Sequence, residues 1–482
     1  MRQAAGLLLK VACVFLASAV LQGGSSLQAQ APASNKDSPS SPPVTPNEAY
    51  EKGVALEDGR GVPVDYKEAA AWYLQAANQG FAPAQARLGV MCAQGRGVAR
   101  DPNEAARWFE KAAQQGNADA QRNLGYAYST GDGVPQDKAK AVEWYRKAAI
   151  QGLSEAQYDL GVMYEKGTGV LQDLQEALQW YRKAAAQGFA PAQRSVGVFY
   201  EQGWGVRRDD SLAVSWFQKA AEQGDADAEF SLGSSYEHGR GVGKDDVAAA
   251  KWYRKAADHG LAEAQYNLSI YYHDGRGLPE DHTLAAEWLR KSADQGLAQA
   301  QSDLGSCYEN GDGVPSDFDE AAKWYRKAAQ QGLAVAQMNL GTLYLQGRGV
   351  SRDTAEALRW YLLAANQGFP LAEANVGYVY AQGLGIPQDL SEAAKWLRRA
   401  AEHGDPEAQT DFAGLLEDGR GVPTNHAEAF FWYTIAASAG QQGAAEGASR
   451  ARKSLSNEQI VELQRRSSDW IAQHPRQSGR NP

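Results

Sequence analysis

Cysteine is scarce in this chain: three among 482 residues. Cys13 falls in an apolar N-terminal stretch, which leaves Cys92 and Cys307, too few for a disulfide framework. Histidine is sparse too, at seven residues, and the usual zinc signatures are missing. Positive charge is in deficit, with 48 Lys and Arg against 58 Asp and Glu and a formal net charge of -10. That balance opposes nonspecific nucleic-acid binding. Beyond the first residues no apolar run reaches the ~20 residues of a membrane-spanning helix. No serine sits in a nucleophile elbow, and neither Cys92 nor Cys307 has an evident His–acid constellation. His238 and His273 are neighbours on adjacent first helices but lack a third ligand. These absences predict no catalysis, no cofactor and no metal.

The N-terminus reads as an export signal. Arg2 and Lys10 precede the short apolar run Val11 to Leu21, small residues follow, and Ala29 is the expected last residue of a removed peptide. Residues 1–29 are thus read as a signal peptide and 30–46 as a disordered Ser/Pro-rich leader. The expected location is the periplasm after export. Secretion and a lipid anchor at Cys13 are secondary readings, because Lys10-Val11-Ala12 is a poor lipid-attachment context.

What the chain has in abundance is order. Trp72, Trp108, Trp144, Trp180, Trp216, Trp252, Trp288, Trp324, Trp360, Trp396 and Trp432 each stand 36 residues apart. A fixed period of this size predicts stacked units rather than a closed domain. In the unit Ala84 to Asp119, apolar spacings of three, four and seven mark two helices, A and B. Between them lies Gly95-Arg96-Gly97-Val98, whose glycines are expected to end helix A and shape the turn. Asp101 with Glu104 has capping-box spacing, as have Asp65/Glu68, Asp173/Glu176, Asp317/Glu320, Asp353/Glu356, Asp389/Glu392 and Asn425/Glu428. Gly89, Gly125, Gly161 and Gly197 lie inside helix A, where glycine costs about 1 kcal/mol relative to alanine. The tryptophan is expected to be the bulky complement to these small residues. His259 and His403 share a phase near helix ends, which a favourable dipole contact explains. Cys92 and Cys307 occupy different phases six units apart, which opposes a bridge between them. Eleven units are predicted over 48–443, with closing helices and a tail over 444–482.

Asn339-Leu340-Gly341, Gly347-Arg348-Gly349-Val350 and Trp360-Tyr361 resemble the Sel1-like repeat family, a relative of the tetratricopeptide repeats. The resemblance implies an all-α, right-handed superhelical solenoid of about eleven helix-turn-helix repeats. Family members usually serve as adaptors or scaffolds in protein complexes. A cysteine-rich branch is described as binding or hydrolysing beta-lactams, with a cysteine pair bridging the helices of a unit. This chain has no such pairs.

Positions that repeat serve the core, so function is expected where copies diverge on one face. A polar row runs along helix A: Arg87, Asn123, Asp159, Ser195, Ser231, Asn267, Asp303, Asn339, Asn375 and Asp411. One turn further on stand Tyr126 and Tyr378, which offer amphipathic contact area. The expected site is therefore a concave helix-A surface that binds a protein or peptide, on a chain that is monomeric. A beta-lactam or peptidoglycan hydrolase and an envelope glycan-binding module stay open as alternatives. A second row, Arg60, Arg96, Arg240, Arg276, Arg348 and Arg420, lies in the loops and reads as solvated or as the edge that meets an acidic partner.

Overall fold

The computed structural model describes residues 44–474. The expected signal of 1–29 and all but the end of the 30–46 leader lie outside the described residues. Among the described residues are 24 α-helices and no strand. They form eleven A/B pairs, from Pro46–Asp58 with Tyr66–Asn78 to Pro406–Asp418 with His426–Ser438. Two further helices follow, Ala444–Arg452 and Asn457–Gln473. None of the described helices is long and apolar enough to cross a membrane.

Each helix B starts at a side-chain cap. Asp101 accepts hydrogen bonds from the amides of Asn103 and Glu104, at 2.9 and 3.0 Å. Such a cap contributes about 1 kcal/mol. The second half of the expected capping box does not form there. Glu104 instead accepts a bond from the indole N–H of Trp108 at 3.3 Å, and Glu176 does so from Trp180 at 2.9 Å. The tryptophan lies one turn on along the same face, within reach of the carboxylate. Complete boxes close the first and last helices instead, at Thr45/Glu48 and Ser456/Gln459.

The turn works as the glycines require. Gly95 has φ +70° and caps helix A through a bond to the Met91 carbonyl. Gly97 also has positive φ, and a Cβ there would overlap the Tyr66 carbonyl at the start of the preceding helix B. The second glycine thus docks one unit on another.

The partner of the helix-A glycine differs from expectation. A Cβ on Gly89 would lie 2.6 Å from the ring of Phe109, and one on Gly161 would lie 2.6 Å from Tyr181. The ring that fills the space left by glycine is therefore the residue after the tryptophan. Tyr73, Tyr181, Phe217, Tyr253, Tyr325 and Tyr361 are almost wholly buried there. Burying one such ring contributes roughly 1.5–3 kcal/mol. The tryptophan stands about 100° round the helix. Trp180 shares a buried cluster with Ala141, Tyr145 and Ala149 of the preceding helix B and with Leu160 of its own helix A. Its outer face carries the Lys183 ammonium at 3.6 Å. Five of the eleven tryptophans, among them Trp144 and Trp216, are only half-buried.

A buried glutamine rung recurs between the helices. Gln85 donates to the Ala77 carbonyl at 3.0 Å and accepts from Gln115 at 2.7 Å. The same pair forms at Gln121/Gln151, Gln157/Gln187, Gln193/Gln223, Gln265/Gln295, Gln301/Gln331 and Gln337/Gln367. In the sixth and tenth units both members change together. His259 meets Glu229 at 2.8 Å, and His403 meets Glu373 at 2.7 Å. These histidines are thus held by a buried carboxylate, a more specific partner than the expected helix dipole.

At the far end, Ile460 and Leu463 are buried, and Trp470 packs edge-on against Trp432 at 5.9 Å. Tyr433 packs on Gly447 of the first closing helix, and Ala413 occupies the place of the usual glycine.

Candidate functional site

The helix-A row has its sequence in phase with the core residue that follows it. Leu88, Leu124 and Leu160 are buried, so Arg87, Asn123 and Asp159 are turned toward the edge of the helix contact. Arg87 and Asp411, near the two ends of the row, are exposed. Asn123, Asp159, Asn267, Asp303, Asn339 and Asn375 are half-buried. Tyr126 and Tyr378 are 59% and 46% exposed, the most open large aromatics on helix A among the described residues.

The half-buried members hold neighbouring units together. Arg122 donates to Asp159 at 2.7 Å, and the Tyr266 hydroxyl donates to Asp303 at 2.8 Å. Gln299 adds a bond to Asp303 at 2.9 Å. Burial raises both carboxyls above the ordinary aspartate range, against the pull of those donors. Asn267 stands beside the hydroxyl of Tyr253, and Asn339 beside that of Tyr325. Those hydroxyls donate in turn to Glu237 at 2.6 Å and Glu309 at 2.8 Å. Apart from the Gln299 bond, sequence pattern had no access to these links, because the partners lie 14, 16 or 37 positions away on other helices.

Asp411 differs from the others. Burial against its surroundings, then the charges of Glu407 and Asp405, push its carboxyl up to about 6. Its atoms still meet solvent. This carboxyl shares its helix with two like charges close enough to raise it.

Four of the six loop arginines are tied back to the array. Arg276 reaches Glu237 at 3.0 Å and Asp246 at 3.2 Å. Arg240 reaches Glu201 at 3.4 Å. Arg96 and Arg348 lie over the rings of Tyr66 and Phe318 on the preceding helix B, at 4.4 and 5.0 Å. Cys92 and Cys307 are free thiols, and burial pushes both up to about 12. A thiol held there is a poor nucleophile near neutral pH. His238 bonds the Ser234 carbonyl of its own helix at 2.9 Å, and the expected approach to His273 is replaced by a contact between His273 and His282.

Comparison with known proteins agrees with this architecture. The Sel1 repeat family matches eleven consecutive segments: 49–81, 82–117, 118–153, 154–189, 190–225, 226–261, 262–297, 298–333, 334–369, 370–405 and 406–441. No curated protein sequence matches the chain. A protective antigen of uropathogenic Escherichia coli strains, displaying an SLR fold, is 33% identical; the match covers 91% of this chain and 97% of that one, with TM-score 0.75. A Sel1 repeat protein from Oxalobacter formigenes is 35% identical over 64% of this chain and 89% of that one, with TM-score 0.52. With eleven matched units that account for nearly all of its described helices, the chain belongs to the Sel1 repeat family.

Proposed function

We propose that this protein is an exported, non-enzymatic scaffold that holds a protein or extended peptide along its helix-A wall as a monomer. The observation that carries the reading is the pair Tyr126 and Tyr378. They occupy one helical position in the third and tenth units and expose 59% and 46% of their surface. Large exposed aromatics at one position of a repeating face supply rigid contact area at low entropic cost. Arg87 and Asp411 give the same wall opposite charges near its two ends. The raised thiols of buried Cys92 and half-buried Cys307 speak against the hydrolase alternative.

A photo-crosslinking residue placed at position 126 or 378 in cells of the source organism tests the reading. Both are expected to trap the same protein, and position 110 on the outer side of helix B is expected to trap none of it. Equal capture from all three positions overturns the assignment. Asn375→Ala is then expected to weaken the trapped complex while leaving helix content unchanged.

A further inference from the structure

The seventh unit departs from its neighbours at several positions together. In five units the last turn of helix A carries a glutamate that accepts a bond from the helix-B tyrosine: Glu57/Tyr73, Glu165/Tyr181, Glu237/Tyr253, Glu309/Tyr325 and Glu417/Tyr433. The seventh unit has His273 for the glutamate and Leu289 for the tyrosine. With no hydroxyl to receive, position 273 is released from the core and turns to the loops. The first residue of helix B changes as well. In three other units it meets an arginine from the next loop, in the pairs Tyr66/Arg96, Asp246/Arg276 and Phe318/Arg348. Here His282 meets Asp312, which stands between Gly311 and Gly313 of the eighth unit.

The outcome is a convergence of donors from three elements. His282 Nδ1 lies 2.5 Å from Asp312 Oδ1, and His273 Nε2 lies 3.2 Å from Asp312 Oδ2. The two imidazole rings are 4.7 Å apart at 65°. One donor atom from each residue fits within a 4.8 Å group, and no other set of three His, Cys, Asp or Glu does so among the described residues. The outward nitrogens are also occupied. His273 Nδ1 bonds Asp274 at 2.8 Å, and His282 Nε2 bonds Glu280 at 3.0 Å. A carboxylate on the far nitrogen fixes the tautomer and makes the near nitrogen more basic, which is the usual support around a metal-bound histidine.

We propose that His273, His282 and Asp312 form a binding site for a divalent transition metal of the zinc class, at the joint of the seventh and eighth units. Two imidazoles with one carboxylate suit zinc and leave a fourth position for water or a partner's side chain. Zinc–ligand bonds of about 2.0–2.2 Å place neighbouring donors roughly 3.3–3.5 Å apart, so His282 and Asp312, at 2.5 Å, would have to separate, while all three donors already lie within 4.8 Å of one another. All three side chains are partly exposed, which gives an ion a way in. A metal held by these three side chains would tie the two units together.

Calorimetric titration of zinc chloride into untagged, chelator-stripped protein tests the site. One saturating equivalent is expected, with affinity at least about tenfold weaker in His282→Ala and in Asp312→Asn, and unchanged in His238→Ala. Circular dichroism of each variant reports that the array is intact. The absence of saturable binding, or binding that survives both variants, overturns the proposal. Because this readout involves no partner, it stands apart from the crosslinking test of the scaffold reading.

Discussion

Glu373 is wholly buried, and His403 donates to its carboxylate from Nδ1 at 2.7 Å. Arg399 adds an ion pair at 2.9 Å from the other oxygen. This rung occupies the place where seven other units set glutamine against glutamine. A buried carboxylate that loses a partner retains its desolvation cost. His403→Ala is therefore expected to destabilise the tenth unit by roughly 1–3 kcal/mol. Glu373→Gln combined with His403→Gln recreates the common rung and is expected to cost less than about 0.5 kcal/mol. Native-state hydrogen exchange of the helices Pro370–Gln382 and Leu390–Glu402 reads both. Equal losses in the two variants contradict the pairing.

The fit of ring to glycine makes a second expectation. A Cβ on Gly233 would lie 2.6 Å from the Tyr253 ring. Gly233→Ala should cost about 1–3 kcal/mol through overpacking. The seventh unit already contains a compensated version, Ser269 opposite Leu289. Adding Tyr253→Leu to Gly233→Ala should therefore recover about 1 kcal/mol relative to the sum of the single changes. Strict additivity in urea denaturation would show that the two positions do not share the space.

Two glycines of positive φ separate backbone strain from docking. Gly332 has φ +91° with open space around its Cβ position, whereas a Cβ on Gly349 would overlap the Phe318 carbonyl. Gly332→Ala is expected to cost about 1 kcal/mol, the ordinary charge for a left-handed residue. Gly349→Ala should cost at least about 2 kcal/mol more, because the eighth and ninth units must move apart. Similar melting temperatures for the two variants would contradict the docking role.

The Asp411 carboxyl sets a pH dependence of defined sign. Its value of about 6 lies above the ordinary 3.8, so between these values the folded chain binds more protons than the unfolded chain. Stability contributed by this group is then present below pH ~4 and falls as pH rises through 6. Because the side chain meets solvent, the net effect is less than about 1 kcal/mol. Asp411→Asn should be the more stable protein at pH 7, and the gain should vanish by pH 4. A gain of constant size across that range, measured by urea midpoints, would exclude titration at this residue.

Period and composition made the architecture legible. Trp, Gly-x-Gly and paired Ala recur in phase, so helix pairs, turns and stacking follow from spacing alone. Phase within the helix was harder to read. Trp180 and Tyr181 recur equally well, yet only their separation of about 100° decides which ring meets Gly161 and which meets the preceding unit. Glu104 shows the same limit: its spacing fits both a backbone cap and the indole of Trp108, and the indole wins. The polar row was visible as a row, but the links of Asp159 to Arg122 and Asp303 to Tyr266 depend on how units stack. His259 and His403 carried a signal that was available. Each stands where glutamine is the rule, and in each case the partner 30 residues earlier also changes, to Glu229 or Glu373.

The glutamine rungs join helices of the same unit, and their outward bond goes to a backbone carbonyl such as that of Ala77. A unit with a His–Glu rung carries both halves of its exception with it. Exchanging the sixth and tenth units would leave every rung complete. Arg122 with Asp159, Tyr266 with Asp303 and His282 with Asp312 instead cross from one unit to the next. The serial order of these near-identical parts is thus written at the joints, and a shuffled array of the same length would misread it there first.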